Sequence, residues 1–171
     1  MIFLIAISLS MDAFSLSLAY GTNKIENKTK YILSIIVGIF HFFMPLIGSS
    51  IGNIILKIIK IKPQIIVSII LSFIGISMCI KKEEKINPIK NIIEIFFFAL
   101  AVSLDSFSVG IGLKGITNKI FLAPLIFSIT AGTITYIGII LGNKISKKIG
   151  NLAPIIGGIL LIIIGIIYIF K

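Results

Sequence analysis

Six apolar runs, at about residues 2 to 20, 31 to 56, 65 to 80, 92 to 113, 120 to 142 and 152 to 170, constrain this chain more than any other feature. A run of about 20 apolar residues crosses the ~30 Å hydrocarbon layer as a helix, which satisfies its own backbone N–H and C=O groups away from water. Apolar residues make up 57% of the 171, and mean hydropathy is +1.17. A soluble enzyme is excluded on that balance, and little chain is left for an extramembrane domain. The expected fold is an all-α integral membrane protein with six transmembrane helices in a single transmembrane domain over residues 1–171. The opening "MIFLIAISLS" has no basic leader and continues unbroken through Asp12 to Tyr20, so it reads as a retained first helix. The single cysteine, Cys79, allows neither an intrachain disulfide nor a thiolate metal cluster.

The net charge of +10 comes from sixteen lysines and no arginine, nearly all in the gaps between apolar runs. Such positions mark membrane-flanking positives, so no nucleic-acid partner is expected. With both termini outside, the cytoplasmic loops would hold ten lysines against six on the other face. That bias favours an N-out, C-out protein of the cell membrane.

The chain also repeats itself. Aligning "AISLSMDAFS" (6 to 15) with "ALAVSLDSFS" (99 to 108) gives five identities in ten, among them Asp12 with Asp105 and Ser15 with Ser108. Farther on, "IGSSIGN" ending at Asn53 answers "IGIILGN" ending at Asn143. Repeat 1 covers about 1–80, a charged linker about 81–91, and repeat 2 about 92–171. Three spans per half is an odd number, so the second half would enter the membrane with opposite polarity. Two inverted three-helix repeats are a plan of many secondary transporters, with the binding site near the midplane where the halves meet.

At ~1.5 Å per residue, Asp12 and Asp105 each sit roughly 16 to 20 Å into their spans. An acid at that depth costs about 2.5 to 3.5 kcal/mol and generally faces a bundle interior on an ion or proton path. Ser8, Asp12 and Ser15 share one helix face, as do Asp105 and Ser108. Carboxylate and hydroxyl oxygens are hard ligands for Mg²⁺, Ca²⁺ or Mn²⁺. Two carboxylates match the charge of one divalent cation; once it leaves, desolvation and repulsion favour taking up protons. The plainer reading is an acid that only hydrogen-bonds a neighbouring helix.

His41, the only histidine, lies at similar depth, and Pro45 leaves the His41 carbonyl without its helical N–H partner. Either group could line the site, or serve only as a helix contact beside a kink. The matching stretch of the second half carries Thr130, Thr133 and Thr135, whose hydroxyls ordinarily bond their own helix. Gly48 with Gly52, and Gly138 with Gly142, form small-residue stripes for close helix approach. Asn53 and Asn143, just after them, read as helix caps. No phosphate-binding loop is present, so uphill transport would run on an ion gradient.

At "SLSMDAFSLSLAYG", "AVSLDSFSVGIG", "GIFHFFMPLIG" and "IIGGILLIIIGI" the chain resembles the manganese efflux pump (MntP) family. The resemblance implies that the family's paired functional acids fall on Asp12 and Asp105. It also implies transported Mn²⁺ as substrate, with no resident cofactor. The chain departs from the family pattern at His41, often Gln there, at Pro154, often Glu, and at Ser77 and Lys81, often Lys and Glu. The related sporulation membrane proteins share the Asp repeat, and "AYGTNKI" leans their way. The expected function is export of a divalent cation, Mn²⁺ first, by proton antiport: a secondary transporter, not an enzyme. Asp12 and Asp105 are its principal metal ligands, with Ser15, Ser108 and His41 as helpers. Its partners would be the lipid bilayer, metal and protons, with a homo-oligomer open. Alternatives are an exporter of another solute or a membrane scaffold without transport.

Overall fold

The structure is a computed structural model that describes residues 1–21, 25–59, 62–80, 91–142 and 147–170. Described residues form seven helices: α1 (Ile2–Gly21), α2 (Asn27–Ile59), α3 (Pro63–Ile80), α4 (Ile92–Ile111), α5 (Leu113–Ile116), α6 (Leu122–Gly142) and α7 (Lys147–Ile169). Six of them coincide with the six apolar runs. The seventh, α5, is a single turn after Gly112, where α4 stops. Four helices, α1, α2, α4 and α6, are long and apolar enough to cross a membrane; the apolar segments of α3 and α7, Gln64–Ile80 and Ile155–Ile169, are shorter. The protein is a multi-pass membrane protein. The expected linker, apart from Asn91, and Asn143 lie outside the described residues.

Local chemistry sets the ends. Pro63 begins α3, where its missing N–H costs nothing. Glu94 in the first turn of α4 complements the positive end of that helix. Helix α2 outruns its apolar stretch, continuing through Lys57 to Ile59, because lysine is a good helix former. Asn53 is therefore inside the helix and does not cap it, contrary to expectation. Outward-facing apolar side chains recur about every turn, at Ile35, Ile39, Phe43 and Ile47 on α2 and at Ile69, Phe73, Ile76 and Ile80 on α3. In water such surface would be an aggregation patch; against lipid tails it is ordinary.

Burial repeats between the halves. From 39 to 50 and from 129 to 140, the succession of buried, half-buried and exposed positions is identical, and so it is from 67 to 78 and from 157 to 168. A spacing of 90 thus pairs α2 with α6 and α3 with α7, and sets His41 opposite Ala131 and Pro45 opposite Thr135. The main helix contacts join one half to the other: α1 with α6 and α7, α2 with α4 and α6, and α3 with α7.

Small residues set these contacts. A methyl on Gly48 or Gly52 of α2 would strike the carbonyl oxygens of Phe107 and Ile111 on α4, so those helices run parallel. Gly138 and Gly142 of α6 meet Phe14 and Leu18 of α1 in the same sense. All four glycines lie at close helix crossings. Counterpart helices cross antiparallel: Gly38 with Ser128 and Gly132 with Ser34 join α2 to α6. Between α3 and α7, Gly75 lies against Gly158, and the Ser68 hydroxyl donates to the Gly165 carbonyl at 2.6 Å.

Candidate functional site

Asp12 stands near the middle of α1 and is 2% exposed. Asp105 occupies the matching place on α4, half-buried, with Oδ2 closed off from solvent. Two residues beyond each acid, Phe14 and Phe107 meet the glycine stripe of the other half. Each acid is thus held at a crossing made by both repeats, while α1 and α4 touch each other only slightly.

The surroundings of the two acids differ. On the α1 side, Gly157 of α7 packs so closely that an added Cβ would lie 2.7 Å from the Ser8 carbonyl oxygen and 2.8 Å from Met11 Cβ. Ser8 is fully buried there. The repeat spacing would set Val67 of α3 against Ala101 and Leu104 of α4. Val67 instead lies beside Gly112, farther along, and Leu104 is 51% exposed. One acid is covered by its neighbouring helix and the other much less so.

Serine and threonine hydroxyls mostly donate to their own helix, which in an apolar medium is the nearest acceptor. Ser8 bonds the Leu4 carbonyl at 2.8 Å, Ser108 the Leu104 carbonyl at 3.2 Å, and Thr130 the Ile126 carbonyl at 2.7 Å; Thr133 does the same with Ile129. Such oxygens keep lone pairs for a cation. Ser15 is half-buried one turn past Asp12, as Ser108 is past Asp105.

His41 is fully buried on α2, and its Nδ1 lies 2.9 Å from the Val37 carbonyl oxygen. Only a protonated nitrogen can bond a carbonyl oxygen, so Nδ1 carries the hydrogen and Nε2 is the acceptor. Nε2 is buried with no hydrogen-bond partner, and so are Ser106 Oγ and Thr135 Oγ1. Among the described residues, no three His, Cys, Asp or Glu side chains gather into a metal cluster, so His41 does not join both acids in this conformation. Ser106 was missed in the sequence although it sits inside the repeated motif, because a serine next to a buried acid draws no attention until its environment is known.

The family model described as "Putative manganese efflux pump" matches residues 24–169. The chain belongs to that family. That match begins after Asp12, but pairwise similarity extends farther. Relatives named "Putative manganese efflux pump MntP" cover nearly the whole chain. The one from Methanocorpusculum labreanum is 35% identical over 98% of this chain and 93% of its own length. That from Bacillus pumilus is 32% identical over 98% and 92%, and that from Geobacillus thermodenitrificans 29% over 98% and 93%. No solved structure matches.

Proposed function

We propose that this protein exports a divalent metal cation, Mn²⁺ first, across the cytoplasmic membrane in exchange for protons. Six spans would form two inverted three-helix repeats, with both termini outside. The observation that carries the reading is the matched pair of acids, Asp12 and Asp105, within the apolar helices α1 and α4, each at a crossing built by both repeats. The names of the relatives support manganese as cargo. The antiparallel crossing of α2 with α6 and of α3 with α7 supports inversion.

Charge accounts for the exchange. With a divalent ion bound, two carboxylates are neutralised. After release they repel one another in low dielectric, which favours proton uptake before the empty site returns. Ser15 and Ser108 would lend oxygens beside them, suited to a hard or borderline cation. The unequal cover over the two acids supports alternating access: α7 closes over Asp12 while α3 stands displaced along α4 near Asp105. Exchanging these two arrangements would turn the site from one face of the membrane to the other.

The test is metal accumulation in cells with and without the protein, across Mn, Co, Cd and Zn. Expression should lower cellular Mn selectively and confer Mn resistance. Unchanged content of all four metals would defeat the reading and leave a scaffold.

A further inference from the structure

The two repeats differ at the α2–α4 crossing, where buried polar groups of both helices stand without hydrogen-bond partners. Val37 and Val102 belong to a core cluster shared with Ala13 and Ala131, contributed by α1, α2, α4 and α6. One turn past Val37 comes His41, and one turn past Val102 comes Ser106, both fully buried. One further turn along, Pro45 and Gly110 are in contact, and α2 runs parallel to α4, so stepping back one turn on each helix brings His41 and Ser106 to one level. Thr135, fully buried on α6, lies one turn past Ala131 of the same cluster, and because α6 runs antiparallel to α2 that step leads away from His41. The repeat sets His41 opposite Ala131 and Ser106 opposite Ala13. One crossing is therefore polar and its counterpart is lined by two alanines.

Leaving a buried polar atom unpaired costs about 1 to 3 kcal/mol, and two such atoms, His41 Nε2 and Ser106 Oγ, lie at this junction. With Nδ1–H bonded to Val37, the imidazole is fixed in the tautomer that aims a lone pair from Nε2, the usual arrangement of a ligating histidine. The Ser106 hydroxyl oxygen completes a mixed nitrogen and oxygen set next to Asp105. Resting on the export reading above, we infer that His41 Nε2, with Ser106 as an oxygen donor, ligates the transported ion on the Asp105 side only. That makes the cargo a first-row transition ion in preference to Mg²⁺ or Ca²⁺. Imidazole is a ligand for first-row transition ions, binding the later metals more strongly than Mn²⁺, whereas Mg²⁺ and Ca²⁺ take oxygen ligands.

The experiment uses the purified full chain in lipid nanodiscs with Mn²⁺ alone as probe, read by pulsed electron spin-echo modulation and by equilibrium binding. Wild type should show ¹⁴N modulation from one imidazole. His41→Ala, which installs the residue the other repeat already uses, should abolish that modulation and weaken Mn²⁺ binding about 10- to 100-fold, with Mg²⁺ binding little changed. Ser106→Ala should weaken Mn²⁺ binding less while keeping the nitrogen signal. The wild-type spectrum decides without any variant: Mn²⁺ bound with no nitrogen coupling overturns the inference and leaves the export reading intact. Retained preference for Mn²⁺ over Mg²⁺ in His41→Ala overturns it too, and points to a buried water at the junction. A wild-type protein that neither binds nor moves Mn²⁺ removes the export reading, and the inference with it.

Discussion

Gly157 offers a quantitative test of the seam that covers Asp12. In Gly157→Ala the new Cβ would sit 2.7 Å from the Ser8 carbonyl oxygen and 2.8 Å from Met11 Cβ, whereas ordinary contact begins near 3.4 Å. Both neighbours belong to or adjoin the α1 backbone, so α1 and α7 must separate by roughly 0.6 to 0.7 Å. Overpacking of this kind costs about 1 to 3 kcal/mol. Alanine returns about 1 kcal/mol of helix propensity, leaving a net loss of about 0 to 2 kcal/mol. Gly38→Ala supplies the comparison: its Cβ would lie 3.2 Å from the Ser128 carbonyl oxygen, beside a groove of about 390 Å³ lined by Ile35, Ile39 and Ile129. There a shift of a few tenths of an ångström suffices, and the propensity gain should survive. Unfolding of the purified variants by SDS in mixed micelles, followed by far-UV circular dichroism, should place Gly157→Ala about 1 to 3 kcal/mol below Gly38→Ala. If Gly157→Ala matches or exceeds Gly38→Ala, α7 does not pack on α1 as described and Asp12 is not sealed by it.

Three more outcomes follow from the same structure. Asp12→Asn and Asp105→Asn keep shape and hydrogen bonding but remove charge, so each should abolish manganese resistance while the protein still inserts and elutes as wild type. Good resistance from a well-folded double variant would leave the acids a structural role only. Ser68→Ala removes the bond to the Gly165 carbonyl between α3 and α7, and should lower SDS stability by about 0.6 kcal/mol and by no more than about 1.7. Reporter fusions at residues 1 and 171 should both report the outer face, and termini on opposite faces would contradict six spans.

Much of the plan was legible in the sequence because membrane helices advertise themselves by length and hydropathy. The acid repeat stood out because Asp12 and Asp105 are expensive in lipid and a chance match is correspondingly rare. The alignment of Gly48 with Gly138 gives the same spacing of 90 that burial follows from 39 to 50 and from 129 to 140. Along α3 and α7 the register was not readable. Both are runs of isoleucine and leucine, in which a lipid-facing residue and a core residue look alike, and only packing separates Ile69 from Leu71. The Asn53 cap failed because Asn53 only interrupts the apolar pattern, and the helix runs on through it to Ile59. Thr130 and Thr133 bond their own backbone as expected, whereas Thr135 does not. The difference depends on what lies across the crossing, which no pattern within one helix encodes. The displacement of α3 along α4 was invisible for a related reason: a repeat in sequence implies equivalent contacts and is silent on where they diverge.

Proton-coupled manganese flux through purified protein in sealed liposomes tests the central claim most directly. With one orientation selected by an impermeant inhibitor or protease, an imposed pH gradient should drive Mn²⁺ against its own gradient, and Mn²⁺ flux should move protons the opposite way. Asp12→Asn and Asp105→Asn should each stop both movements, and ATP should have no direct effect. Mn²⁺ equilibrating at the same rate and to the same end point whatever the pH gradient would contradict exchange and make the protein a channel or uniporter.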